Sequence, residues 1–206
     1  QQQVDAAINH YLEAGNSHKA IDAAMNSRQW TKAEQLLDSV EPHEAMAFYE
    51  KLASHYANAR QYELAERMFC RAGHPDLAVK MYITYNQYES AHKIGRNQME
   101  SGEFTDLYIG LAEELEGQGK LHEAEQLYVA VAEFDLAIHM YKKKEEFEQM
   151  LRLVRKHRNE LLNETYKHIA EQYEAKGNLK KAEQFYVEGK LWTSAMGMYR
   201  QLERWD

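Results

Sequence analysis

Glu89-Ser-Ala-His92 is the one Glu-x-x-His stretch in this sequence. On a helix that spacing sets a carboxylate and an imidazole on one face, and two such motifs plus two further glutamates would build a di-iron centre. One match among ten histidines supplies only half of the paired motif, so a surface or structural histidine is the simpler reading. Cys70 and His74 are four apart but straddle an expected helix end, and no second pair at zinc spacing accompanies them. Glu113, Glu114 and Glu116 read as solvated helix carboxylates. No Gly-rich loop follows a strand to cradle a phosphate. No Ser/His/Asp or Cys/His arrangement can be argued either. The expectation is a non-enzymatic chain with no catalytic, metal or cofactor site and no small-molecule substrate.

The elements that would carry these residues are helical. Two prolines and ten glycines in 206 residues leave few breaks, and the abundant Ala, Glu, Gln, Leu, Met and Lys lose little rotamer freedom in a helix. The longest uncharged apolar stretch, about Tyr128–Ala132, is far below the roughly 20 residues of a membrane span. Gln1-Gln2-Gln3 opens no signal-peptide pattern. The lone Cys70 cannot close an internal disulfide, which fits a reducing compartment. A net charge of −8 disfavours nucleic acid, whose phosphates need clustered positive charge.

Internal repetition organises the helices. An alanine with apolar neighbours at −3, +3 and +4 recurs at Ala7, Ala20, Ala33, Ala65, Ala78, Ala91, Ala124, Ala137, Ala182 and Ala195, with Met150 substituting once. Those offsets share one helix face. The steps alternate two of 13 residues with one of 32 or 33, a super-repeat of 58–59 residues. Each short unit is a helix of about ten residues, marginal alone in water, so the units must stack. Each long gap adds one amphipathic helix: about Glu44–Asn58, Phe104–Gly117 and Asn159–Ala175. The aromatics at fixed repeat positions, Trp30, Tyr62, Tyr82, Tyr128, Tyr141, Tyr186, Trp192 and Tyr199, read as packing rather than as a stacking cage.

The fold class expected is all-α: a tetratricopeptide-like α-solenoid of stacked short antiparallel helix pairs, about fourteen helices in all. Repeat-like pairs fall near 46–79, 105–138 and 163–196, with 1–206 as a single segment. The next anchor would fall two residues past Asp206, with Trp205 in its −3 position, so the segment reads as part of a longer solenoid.

Two charge features suggest docking surfaces. Lys142, Lys143, Lys144, Arg152, Arg155, Lys156 and Arg158 face only three glutamates in the same stretch, a local excess of four positive charges in a chain of net −8. Arg152, Arg155 and Lys156 share one helix face, opposite Met150, Leu151, Val154 and His157. A solvated face competes there with a patch for an acidic partner, and reversing those three to Glu should leave the fold intact. The longer helices would in turn present Glu50, Asp106, Glu113, Glu116, Glu164, Glu171 and Glu174 to a groove suited to a basic or helical ligand. The Lys and Asn of a carboxylate clamp are missing from it.

Specific stretches go further: Ala7-Ile-Asn-His-Tyr-Leu-Glu-Ala14, Arg28-Gln-Trp30 with Lys32-Ala33, Glu123-Ala-Glu-Gln-Leu-Tyr-Val129, Asp135-Leu-Ala-Ile138, Met140-Tyr-Lys-Lys143 and Met198-Tyr-Arg200. On these the chain resembles the helical carboxy-terminal region of the intraflagellar transport 172 family of large ciliary transport subunits. The resemblance implies a peripheral subunit of the anterograde complex, complex B, needed for cilium assembly and for transport along the axoneme. It implies other intraflagellar transport subunits as partners. The location implied is the cilium or flagellum and basal body, with a cytoplasmic pool. A vesicle-coat or tethering solenoid and a peptide-binding tetratricopeptide adaptor are the alternatives.

Overall fold

The computed structural model describes residues 2–201, apart from the side chains of Gln2 and Pro42. Trp205 and Asp206 lie outside the described residues, and with them the expected next repeat position. Among the described residues the chain forms fourteen α-helices and no strand. They are α1 (Gln2–Glu13), α2 (Ser17–Asn26), α3 (Trp30–Leu37), α4 (Pro42–Asn58), α5 (Tyr62–Arg71), α6 (Pro75–Thr84) and α7 (Tyr88–Gln98). Then follow α8 (Ser101–Gly117), α9 (Leu121–Ala130), α10 (Phe134–Lys143), α11 (Phe147–His157), α12 (Leu162–Ala175), α13 (Leu179–Glu188) and α14 (Trp192–Gln201). Contacts group the chain into two compact units, Gln1–Leu107 and Tyr108–Asp206, dividing within α8. Inside each unit helices pack mainly on their sequence neighbours, as in α4 with α5, α6 with α7 and α12 with α13.

The sequence places the longer helices nearly where they form. α4 begins two residues earlier than expected because Pro42, at the first helical turn, brings a ready-made φ and needs no amide partner there. The expected Asn159–Ala175 helix is broken: Asn159–Leu161 winds as a 3-10 turn and α12 starts at Leu162. The Arg158 backbone, at φ −138 and ψ 48, has already left helical space before that turn.

The anchor column is buried. Ala20, Ala33, Ala65, Ala78, Ala91, Ala124, Ala137 and Ala182 are fully buried, and Met150 and Ala195 nearly so. Their small size lets neighbouring helices approach closely, which is why packing density is reached with helices of ten residues. Ala7 corrects the register: it is exposed, and Ile8 beside it is fully buried instead. In α1 the larger side chain takes the buried seat, turning the helix by one residue against α2. Trp192 is a second correction. The residue is 55% exposed rather than packed.

A further column controls the turns. Five residues before each buried anchor the backbone takes a positive φ: Gly15, Arg28, Arg60, Gly73, Asn86, Gly119, Ala132, Glu145, Gly177 and Lys190. One residue on, each chain closes an i to i−5 bond to the preceding helix, such as Gln61 N–H to Tyr56 O at 2.8 Å and Glu146 N–H to Tyr141 O at 3.0 Å. This is the Schellman arrangement, and it reverses the chain after ten of the helices, long and short, while α3, α7 and α11 end without it. Six of the ten positions carry a side chain, at a cost glycine avoids. Ala132, at φ +63, is the plainest case. Ala132→Gly should raise stability by about 0.5–1 kcal/mol, the relief of the left-handed conformation exceeding glycine's extra unfolded-state entropy. A urea midpoint below wild type would contradict this turn geometry.

Candidate interaction surfaces

The basic segment lies on α10, α11 and the turn between them, and the structure divides its seven residues into two kinds. Arg152, Arg155 and Lys156 are exposed on α11, opposite the buried Met150, Leu151 and Val154, while His157 stacks on Phe134 with centroids 3.9 Å apart. Four of the seven are nevertheless tied within the chain. Arg152 reaches back to α9 and donates to Glu125, a carboxylate only 7% exposed. Arg155 donates to the Tyr166 hydroxyl on α12. Arg158 grips Asp135 with two bonds, at 2.7 and 2.9 Å. Lys143 lies 3.5 Å from Glu116 on α8. Lys142, Lys144 and Lys156 have no ion-pair partner among the described residues. Sequence proximity therefore overstated the free charge, because arginine finds carboxylates 23 to 27 residues away.

These ties move ionisation in consistent directions. The Arg158 guanidinium holds the Asp135 carboxyl below its usual range. Burial lowers His157, aided by the charge on Lys156, and burial lowers His168, aided by Lys142.

The acidic positions are likewise partly spent. In the first unit Glu50 lies 3.2 Å from His74, and Asp106 is exposed on α8. In the second unit Glu116 holds Lys143, Glu171 meets Lys167 one turn away at 3.8 Å, and Glu174 accepts from the Tyr186 hydroxyl at 2.9 Å. Glu113 and Glu164 are exposed without an ion-pair partner among the described residues. Glu89 is exposed, and His92 sets its ring edge to Phe104 at 5.4 Å. Burial pushes the Cys70 thiol up, with Glu66 adding to it, and His74 is occupied by Glu50 and Asp76.

One arrangement has no counterpart in the apolar columns. The glutamate following an anchor accepts from the tyrosine four past the next anchor: Tyr82 to Glu66 at 2.6 Å, Tyr141 to Glu125 at 2.7 Å and Tyr199 to Glu183 at 2.8 Å. Each pair is 16 residues apart and each recurs in one super-repeat. Tyr56 to Glu34 at 3.3 Å and Tyr186 to Glu174 at 2.9 Å tie adjacent helices in the same way. Burial and then the carboxylate raise the Tyr82, Tyr141 and Tyr186 phenols well above their ordinary value. Burial with Glu116 and Glu113 takes Tyr128 up to about 12. A phenol between helices is satisfied only by an acceptor at the right height, so these pairs fix how one helix sits on the next. The signal was present in the sequence as a column of Glu34, Glu66, Glu125 and Glu183, each directly after an anchor.

Beside two of these pairs the surface opens into cavities. One, of about 810 Å³, is lined by residues of α5–α7 including Tyr62, Glu66, Tyr82 and Lys93. The other, of about 700 Å³, is lined by residues of α9–α11 and their turns, including Leu121, Tyr141 and Arg152. Among the described residues no helix is long and apolar enough to cross a membrane.

Against known proteins, residues 1–120 match the family model of the tetratricopeptide-repeat domain of intraflagellar transport proteins 140 and 172. Over its whole length the chain is 44% identical to the intraflagellar transport protein 172 homolog of Danio rerio. It is 41% identical over 208 aligned residues to intraflagellar transport protein 172 of Chlamydomonas reinhardtii. It is 34% identical over 205 residues to the intraflagellar transport protein osm-1 of Caenorhabditis elegans. The chain spans 12% of the length of each of these relatives.

Proposed function

We propose, since the chain belongs to the family of tetratricopeptide-repeat domains of intraflagellar transport proteins 140 and 172, that it is a non-enzymatic protein–protein scaffold within an intraflagellar transport complex B subunit. In that role it serves cilium assembly and transport along the axoneme. It works in the cilium or flagellum and at the basal body, with a cytoplasmic pool, and its partners are other intraflagellar transport subunits. The observation that carries this reading is the likeness to intraflagellar transport proteins from end to end of the chain. The geometry supports it. Within each unit apolar faces and most paired charges are used between neighbouring helices, which leaves mainly polar outer surfaces for contact, Trp192 and Met196 apart.

Within the basic segment of that surface, Lys142, Lys144 and Lys156 are the residues available to an acidic partner. Reversing all three to Glu should leave stability within about 0.5 kcal/mol per site. Binding to purified intraflagellar transport subunits should fall roughly tenfold, and added salt should weaken the wild type. Binding assays at low and high ionic strength, with circular dichroism as folding control, read both. Wild-type binding by the folded triple variant would return the three lysines to a solvated face. Failure of the wild type to bind any such subunit would count against the scaffold assignment itself.

A further inference from the structure

The two cavities occupy the same place in successive super-repeats. A shift of 59 residues carries Tyr62 onto Leu121, Glu66 onto Glu125, Tyr82 onto Tyr141 and Lys93 onto Arg152. In the second cavity the cradle is filled from within. Oε2 of Glu125 accepts from both the Tyr141 hydroxyl and the Arg152 guanidinium. In the first cavity the Tyr82 hydroxyl is bonded to Oε2 of Glu66 at 2.6 Å, but no guanidinium completes the set. Lys93 stands where the arginine would be, exposed and with no ion-pair partner among the described residues. Glu66 is correspondingly more open than Glu125.

We propose that the α5–α7 cavity is a recognition site for an arginine side chain of a partner polypeptide, seated on Glu66 and Tyr82 as Arg152 is on Glu125 and Tyr141. A second exchange in the lining favours the same occupant. Leu121 of the α9–α11 cavity is Tyr62 in the α5–α7 one, 6.4 Å from the Tyr82 ring and 4.8 Å from Tyr85. A planar guanidinium stacks on such a ring while its fork bonds a carboxylate. Glu63 adds negative charge at the same wall, and its field together with that of Glu66 is felt by Tyr82. Lys93 does not replace the arginine, because an ammonium is a compact, strongly hydrated charge without the fork that spans carboxylate and phenol. The site needs no assumption about which complex the chain serves, and it names the chemistry of one contact a scaffold of this kind would make.

The test is a titration of the 206-residue chain with acetyl-Gly-Arg-Gly-amide, followed by amide chemical shifts. The lysine and citrulline counterparts serve as controls. The arginine peptide should shift amides of residues 61–66 and 87–94, and the citrulline peptide should not. Glu66→Gln, which keeps the shape and the phenol partner, should weaken the arginine peptide about tenfold or more. Lys93→Arg should close the site by supplying the guanidinium internally, so peptide binding is lost while the thermal midpoint rises. The proposal is overturned if Glu66→Gln binds as tightly as wild type, or if Lys93→Arg leaves both binding and midpoint unchanged. It is equally overturned if the peptide shifts residues 119–123 and 146–152 as strongly, since those line the cavity whose carboxylate already holds a guanidinium. No intraflagellar transport subunit takes part, so the outcome is independent of the scaffold assignment.

Discussion

Arg152→Glu unfolds at a lower urea concentration than wild type, with a loss of about 2–4 kcal/mol, while Lys156→Glu on the same helix face stays within about 0.5 kcal/mol. The contrast comes from what lies behind each residue. Lys156 ends in water. Arg152 ends on Glu125, whose carboxylate is 7% exposed and shares its Oε2 with the Tyr141 hydroxyl. Replacing the guanidinium by a carboxylate leaves Glu125 without its cation and sets a like charge against it. Breaking a fully buried pair costs about 3–5 kcal/mol, and the lower range applies here because the Arg152 side chain is 46% exposed. Arg152→Gln and Glu125→Gln, singly and together, isolate the coupling. A coupling below about 0.5 kcal/mol would mean that the arginine is a surface residue after all.

That result would separate what the sequence makes legible from what it hides. The alanine anchors are legible because burial imposes smallness at a fixed helical offset, and eight of them are fully buried. The turns follow from the same spacing even where no glycine marks them, as at Arg60, Ala132 and Glu145. Ala7 misleads because Ile8 beside it fits the buried seat of α1 equally well as sequence, and only the packing against α2 decides. The basic segment misleads for another reason. A charge count over consecutive residues carries no distance, and Arg152, Arg158 and Lys143 find their acids 27, 23 and 27 residues back along the chain. Those partners lie about two short helices away, so the super-repeat contained the information. The cue was Glu125 in the column after the anchors, a polar residue at a place where Ile21, Val79 and Ile138 stand in other units. The cradle of Glu66 and Tyr82 was hidden likewise, since its significance comes from comparing two repeats that differ at Lys93 and Arg152.

The tyrosine–glutamate pairs also set an alkaline limit on the fold. In the unfolded chain a phenol loses its proton near about pH 10. In the folded chain Tyr82, Tyr141 and Tyr186 hold theirs well beyond that, through burial and then through Glu66, Glu125 and Glu174, and Tyr128 holds its proton up to about 12. Between about pH 10 and 12 the native state therefore binds more protons than the unfolded state, and stability must fall as pH rises. Each such phenol contributes a slope of at most about 1.4 kcal/mol per pH unit. The four together reach about 5 kcal/mol per unit, enough to exhaust a stability of about 5–15 kcal/mol before or near pH 12. The expected result is a cooperative loss of helical circular dichroism in that window, coincident with a step in tyrosinate absorbance. Lysine deprotonation overlaps this range, and Tyr141→Phe separates the two. It removes one phenol while leaving Arg152 on Glu125, so stability at neutral pH should drop by about 1 kcal/mol and the alkaline decline should become shallower by one tyrosine's share. If tyrosinate forms fully with the helices intact, the phenols are not held by their glutamates and the interlock is absent. An unchanged alkaline slope in Tyr141→Phe would instead assign the transition to lysine.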